Sequence, residues 1–352
     1  MTIHLFTGKD SRSATARLRG ILPARELLAR GVFVKVYPPP SWRPAWRVSF
    51  ERVREFYRHA KILLFAPRKD VIFLVRTIYQ IDFVFLVLCA RIFFRKKYVF
   101  DFDDAIYEKP WCRYRARLLT RFASAVTVGN HHLEKWAKSR NGCVSIIPTA
   151  IPFDIYVKFT KLPQTSASGK IVIGWIGNGI NHLKNLKLLV PVFERLVSDG
   201  VNFRFVLVGG MEYRPLYDLF DKVPGLEVQI VDELDWSDPE SAPTAIAGFD
   251  IGVMPLVSDT KTIGKSALKA VEYMACSVPP VVSPVGENGF LVQDGENGFV
   301  ASSTREWVEK LKLLAADADL RQKLGAAAQA VVRQNYSYEV IIPKLITIFQ
   351  KV

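Results

Sequence analysis

Short apolar runs alternate with longer stretches of helical period along almost the whole chain. In the first half, Ile3–Phe6, Val32–Val36, Val71–Arg76, Lys97–Phe102, Ala125–Val128 and Ser145–Ile147 read as strands. Ala14–Ala29 and Ile81–Phe94 read as helices, with the loop Pro38–Pro44 after the second strand. From residue 171 the pattern starts again, with strands at Ile171–Ile176, Phe203–Val208, Val228–Ile230, Ile251–Met254 and Val278–Val282. Helices are predicted at Asn185–Ser198, Arg214–Lys222 and Lys265–Met274. Ser303 and Glu306 make a capping box for a helix at Trp307–Leu314, and a last helix covers Tyr338–Lys351. Strands that are apolar throughout, separated by helices, predict parallel sheets covered on both faces.

Between the two series lies Lys158–Gly169 (KFTKLPQTSASG), polar and without apolar period, which reads as a linker. The expected organisation is an α/β domain over residues 1–160, a linker at 161–169, and a second α/β domain over 170–335. A helix at 336–352 is expected to cross back to the first domain. In tandem doubly wound domains, the carboxyl ends of both sheets are expected to face a deep cleft where ligands bind. The length of 352 residues agrees with two domains.

Charge changes the picture. Residues 1–160 carry 29 Lys and Arg against 12 Asp and Glu, whereas the remainder carries 19 against 22. A basic half beside a near-neutral half points to an anionic partner for the first alone. Nucleic acid is disfavoured, since no zinc-finger spacing, RNP motif or recognition helix accompanies the charge. Basic and apolar side chains interleave in Ser41–Lys61 and Ile92–Lys97, including Trp42, Arg43, Trp46, Arg47, Arg52, Arg54, Phe56, Tyr57 and Arg58. That pattern fits an anionic membrane surface better, with a phosphorylated substrate or a solvated basic face without a dedicated partner as the alternatives. The start, MTIHLFTGKD, reads as a strand entering a Gly turn and not as a signal peptide. The four cysteines, Cys89, Cys112, Cys143 and Cys276, have no metal or redox spacing and fit a reducing compartment. The longest apolar run, Ile81–Ala90, falls short of a membrane span. A cytoplasmic protein, peripheral on the inner face of the cell membrane, is the expectation.

Several segments carry candidate chemistry. Lys269 and Glu272 stand three apart on one face of the predicted Lys265–Met274 helix. At its start, Gly264 and Lys265 offer free N–H groups, a positive dipole end and a cation, a combination suited to a diphosphate. Glu272 can accept from the vicinal hydroxyls of a ribose. Gly174, Gly177 and Gly179 follow a strand, so backbone can approach a ligand closely near Gly177 and Asn178. The GxGxxG spacing of nicotinamide dinucleotide sites is absent. Lys184 and Lys187 lie nearby as cations for a phosphate or for solvent. Asp101, Asp103 and Asp104 end a strand, where a carboxylate can hold an acceptor hydroxyl, act as a base, cap the next segment or pair with Arg. His131 and His132 are neighbours that point different ways, a poor metal pair. No metal site is expected.

GWIGNGINHLKNLKLL (174–189), FDIGVMPL (249–256), GKSALKAVEYMACSVPPVVSPVG (264–286), DGENGFV (294–300) and NYSYE (335–339) resemble the nucleotide-sugar domain of family-4-type (group 1) glycosyltransferases. RLRGILPARELLARG (17–31), DFDDAIY (101–107) and IPTAIP (147–152) resemble the first domain of a bacterial polysaccharide or lipopolysaccharide subgroup. The resemblance implies the GT-B fold of two Rossmann-like domains. It also implies transfer of a hexosyl or deoxyhexosyl group, with retention, from a nucleoside diphosphate sugar to a hydroxyl of a glycan or lipid-linked acceptor. No cofactor and no metal are implied. Glu272 matches the second glutamate of the family's Glu-x7-Glu element, which binds the ribose. Gly264 stands where the first would be, so a deoxysugar is as compatible as a hexose, and Asp259 or the loop 260–263 is a candidate replacement contact. Lys265 is then expected at the diphosphate, Lys269 toward the sugar or packed structurally, Gly8 near the leaving group, and Asp103 and Asp104 at the acceptor. A nucleotide-sugar 2-epimerase and a catalytically inactive glycan- or lipid-phosphate-binding module remain as alternatives.

Overall fold

A computed structural model describes residues 1–9, 13–37, 50–78, 80–160 and 169–352, apart from the side chains of residues 51 and 52. Trp42, Arg43, Trp46 and Arg47, the side chain of Arg52, and most of the expected linker lie outside the described residues. The backbone forms two compact units. The first comprises Met1–Ala150, Gly264–Ser266 and Tyr338–Val352; the second comprises Ile151–Ile263 and Ala267–Ser337. The division at Ala150 and Ile151 differs from the expected boundary after residue 160.

In the first unit the chain runs β1 (Thr2–Thr7), α1 (Ala14–Ala16), α2 (Leu22–Ala29), β2 (Phe33–Tyr37), α3 (Phe50–Phe65), β3 (Val71–Val75), α4 (Ile81–Ile92), β4 (Lys97–Phe102), α5 (Pro110–Phe122), β5 (Ala125–Val128), α6 (His131–Lys138) and β6 (Val144–Ile146). The strands form one parallel sheet in the order β2-β1-β3-β4-β5-β6. Side chains alternate across it, as the pleat requires. On β3, Ile72 and Leu74 join a core made with α3, α4, α5 and α6, while Val71, Phe73 and Val75 join one made with α2 and the C-terminal helix. A π-helical turn, Arg17–Ile21, separates α1 from α2.

The second unit contains α7 (Phe153–Tyr156), β7 (Ile171–Ile176), α8 (Gly179–Leu186), α9 (Val190–Ser198), β8 (Phe203–Val208), α10 (Arg214–Phe220), β9 (Glu227–Val231), α11 (Ser241–Ala247), β10 (Ile251–Met254), α12 (Leu268–Ala275), β11 (Pro280–Val282), α13 (Asn288–Leu291), β12 (Phe299–Val300), α14 (Thr304–Ala316) and α15 (Ala318–Asn335). Its sheet is again parallel, ordered β12-β11-β10-β7-β8-β9. The last helix, α16 (Tyr338–Lys351), belongs to the first unit.

One prediction that bears on the site is corrected. The helix expected from Lys265 begins at Leu268, because Ala267 adopts a left-handed conformation (φ 55°) that interrupts helical geometry immediately before it. The carbonyl of Ala267 still accepts from Val271 N–H, as a helix-capping residue does. Gly264 and Lys265 therefore lie in the preceding turn and contribute no free N–H groups to a helix start. No helix among the described residues is long and apolar enough to cross a membrane.

Candidate functional site

In both units the candidate residues gather just beyond the carboxyl ends of the strands. In the first unit, Gly8 follows β1, Arg76 follows β3, Asp103 and Asp104 follow β4, and Asn130 lies two residues past β5. Gly8 N–H donates to the Val75 carbonyl (2.9 Å), and a Cβ on Gly8 would lie 2.2 Å from the Arg76 carbonyl oxygen. The glycine is thus required by close packing of the β1 and β3 ends.

Arg76, itself left-handed (φ 52°), donates to Asp104 Oδ2 at 2.7 Å and to Thr15 Oγ1 at 3.1 Å. Thr15 Oγ1 donates in turn to the Asp103 carboxylate at 3.0 Å. Burial, reinforced by the charge of Asp104, pushes the Asp103 carboxyl up to about 6. For Asp104 burial acts in the same direction, but Arg76 and Lys265 outweigh it and hold that carboxyl below its ordinary value. The pair therefore combines one carboxylate held ionised with one whose proton is held more tightly than usual. Asp101 is different. It is buried, receives a two-pronged ion pair from Arg19 (2.8 and 2.6 Å) and accepts from Thr127 (2.6 Å), which makes it structural.

Gly264 and Lys265 belong to this first cluster. Asn130 caps α6 through its side-chain oxygen, which accepts from Leu133 N–H. Its Nδ2 donates to the carbonyls of Gly264 (2.9 Å) and Lys265 (3.2 Å). A Cβ on Gly264 would stand 2.7 Å from the Ala105 methyl and 3.0 Å from the Ala105 nitrogen. No glutamate fits there, which gives a packing reason for the departure at this position. His131 and His132 open α6, and among the described residues no group of three or more His, Cys, Asp or Glu side chains is arranged to hold a metal.

The second unit brings Gly177, Asn178, Lys269 and Glu272 together. Gly177 follows β7 with φ 147°, and a Cβ on it would fall 2.5 Å from Lys269 Cε. Asn178 caps α8, its side chain accepting from Asn181 N–H at 3.0 Å. Lys269 Nζ lies 3.2 Å from His182 Nε2 and 5.3 Å from the centre of the Trp175 ring. One turn further along α12, the buried Glu272 accepts from Tyr156 Oη at 2.8 Å. A cation beside a glycine turn is a place for phosphate oxygens, and a buried, pre-positioned carboxylate is an acceptor for hydroxyls.

Lys184 is turned to another use in this structure: it pairs with Asp259 at 3.1 Å. Asp259 also accepts from the backbone N–H groups of Thr262 and Lys261. Chiefly through Thr262, and against burial, its carboxyl is drawn down to about 2. It thus organises the 259–262 turn, a role at odds with a free contact for a sugar. Sequence reasoning missed Thr15, Arg76, Asn130, Tyr156 and His182. Of these, only Arg76 had a local signal, a cation ending an apolar strand run.

Residues 170–317 match the family described as glycosyl transferases group 1. The chain is 26% identical over 193 residues to a D-inositol 3-phosphate glycosyltransferase of Rhodococcus erythropolis, covering 52% of this chain and 42% of that protein. It spans about half the length of the curated relatives it matches. Among solved structures it is similar to the sucrose-phosphate synthase of Thermosynechococcus elongatus, with a TM-score of 0.75 at 15% identity over 100% of this chain and 98% of that one. It is also similar to Anabaena HepE in complex with UDP-glucose, with a TM-score of 0.71 at 15% identity over 99% and 100% of the two chains. These likenesses establish two Rossmann-like units of the same fold.

Proposed function

We propose that this chain, whose residues 170–317 match the glycosyl transferases group 1 family and which has the GT-B fold, moves a sugar from a nucleoside diphosphate sugar to a hydroxyl of a glycan or lipid-linked acceptor. The observation that carries this reading is the convergence in the second unit of the Gly177 turn, Lys269 and the buried Glu272. In it, the Gly177–Asn178 turn and Lys269 hold the diphosphate, Glu272 holds the ribose, and Tyr156 keeps Glu272 in place. Asp103 and Asp104 of the first unit orient the acceptor hydroxyl, and Lys265 adds positive charge for the diphosphate.

The bond from the anomeric carbon to the diphosphate breaks and the acceptor oxygen bonds to the same face. The departing phosphate oxygen takes the acceptor's proton. Fixed cations stabilise the charge that grows on the leaving group, so the reaction is proposed to run without a resident metal, and chelation by EDTA should leave turnover unchanged. The setting is synthesis of cell-surface polysaccharide or lipopolysaccharide, on the inner face of the membrane.

Calorimetric titration against UDP-, GDP- and dTDP-sugars tests the donor half. Glu272→Ala should weaken donor binding by about 1.5–3 kcal/mol, the worth of a hydrogen bond to a charged group. Unchanged affinity in a folded variant would reject the assignment. Lys265→Ala should lower kcat more than it raises KM, because the charge it meets develops in the transition state.

The glycine at 264 supports a second reading, an inactive module that binds a glycan or lipid phosphate. Hydrolysis of a nucleotide sugar without acceptor would exclude it.

A further inference from the structure

Helix α4 is apolar apart from Asp82 and Arg91, one near each end. Phe83, Val84, Leu86 and Val87 are buried, yet Ile81, Phe85 and Ile92, on the opposite stripe, are 63%, 64% and 52% exposed. Twelve residues make a helix about 18 Å long, well short of the ~30 Å apolar layer of a bilayer, so α4 is no span. A helix of this composition ordinarily has a covered outer face.

Its neighbour shows the same apolar exposure beside positive charge. α3 covers the same face of the sheet, and the rings of Phe65 and Phe94 meet edge to face with centroids 6.4 Å apart. On the exposed side of α3, Phe50, Val53 and Tyr57 follow one line at spacings of three and four, and Arg54, Arg58 and Lys61 follow the adjacent line. Residues 50–97 carry eleven Lys and Arg against four Asp and Glu. Of these, Asp70 is buried against His4, Lys96 is buried on the Ala66 carbonyl, and Arg76 is turned to Asp104.

We propose that the outer face of α3 and α4 docks on an anionic bilayer surface, with the exposed rings at headgroup level and the arginines and lysine on lipid phosphates. The charge argues for this occupant. A second copy of the same face would set cations against cations, and nucleic acid would leave the α4 stripe in water. The proposal rests on the reading of a lipid-linked acceptor given above, and names the surface that brings the first unit to it.

The full chain is tested by flotation with vesicles of phosphatidylcholine alone and of phosphatidylcholine mixed with phosphatidylglycerol. Binding is expected on the mixed vesicles only and should fall with added salt. Each cation near the surface is worth about a fivefold change in partition, so the variant Arg54→Gln, Arg58→Gln, Lys61→Gln should bind roughly a hundredfold more weakly. Phe85→Ser with Ile92→Ser should also lose binding, with an unchanged circular dichroism spectrum. Equal partition onto both vesicles, none onto either, or wild-type binding by both folded variants would overturn the proposal. So would a concentration-dependent dimer abolished by Phe85→Ser, which would assign the face to self-association. Nucleotide-sugar turnover without vesicles separates the two failures. If turnover persists while vesicle binding fails, only the docking surface is lost; if turnover is absent, the transferase reading falls first.

Discussion

Arg19 reaches Asp101 from the π-helical turn between α1 and α2, and both charges are buried with every contact charge-assisted. Such a pair contributes modestly while intact, but removal of one partner strands the other. Arg19→Met should therefore destabilise the first unit by about 3–5 kcal/mol, read from the midpoint of chemical denaturation; an unshifted midpoint would mean that Asp101 is satisfied without it. Two residues further on, the chemistry reverses. The folded-state value of Asp103, about 6, lies above its ordinary 3.8, so the native chain holds that proton more tightly than the unfolded one. The stability this supplies is fully present below the ordinary value and is lost as pH rises through about 6. Asp103→Asn removes the titration, and its stability relative to wild type should be greater at about pH 7.5 than at about pH 5. A difference independent of pH would show that Asp103 does not titrate in this way. That one segment holds a structural and a titrating carboxylate was not legible in DFDD, because the deciding partners, Arg19, Thr15 and Arg76, come from other segments.

At the scale of elements, local signals and long-range packing divide the work. The Ser303–Glu306 signal does open a helix, but α14 starts at Thr304, three residues ahead of the expected Trp307. Ser303 Oγ accepts from Glu306 N–H, and the Glu306 carboxylate reaches back to Ser302 N–H at 2.7 Å. Ser303→Ala should cost about 1 kcal/mol, measured as a shift in the melting of the second unit. α12 shows the opposite case. Its apolar period extends back through Lys265, yet the left-handed Ala267 and the contacts of Gly264 with Ala105 and Asn130 delay the start to Leu268. Gly264→Ala should therefore lower thermal stability, since the new methyl would lie 2.7 Å from the Ala105 methyl and 3.0 Å from its backbone nitrogen. An unchanged melting temperature would show that the turn adapts.

For the whole molecule, the last helix matters more than its position suggests. Tyr338, Ile341, Ile342, Leu345 and Phe349 of α16 pack into the core that also holds Ile3, Leu27 and Phe73, so the end of the chain completes a unit begun at its start. A chain ending at Ser337 should expose that core, bind a hydrophobic dye and lose the first unit's protection from proteolysis. The second unit should keep the nucleotide-sugar affinity proposed for it. Equal protection of both units in the truncated chain would contradict this.

Hydrophobic periodicity was enough to read the strands of the first sheet and all but β12 of the second, because the period of a strand or helix is written in its own residues, whereas the two residues of β12 are too few to carry one. The long strands Lys97–Phe102, Ile171–Ile176 and Phe203–Val208 lie where their apolar runs do. The Gly177 turn and the spacing of Lys269 and Glu272 on one helix were legible for the same reason. Pairings between distant residues were not: Arg19 with Asp101, Asn130 with Gly264 and Lys265, Tyr156 with Glu272, and Lys184 with Asp259. Each joins segments between 75 and 135 residues apart. No local pattern encodes which side chain fills such a contact, and folding of the whole chain decides it through burial, packing and charge.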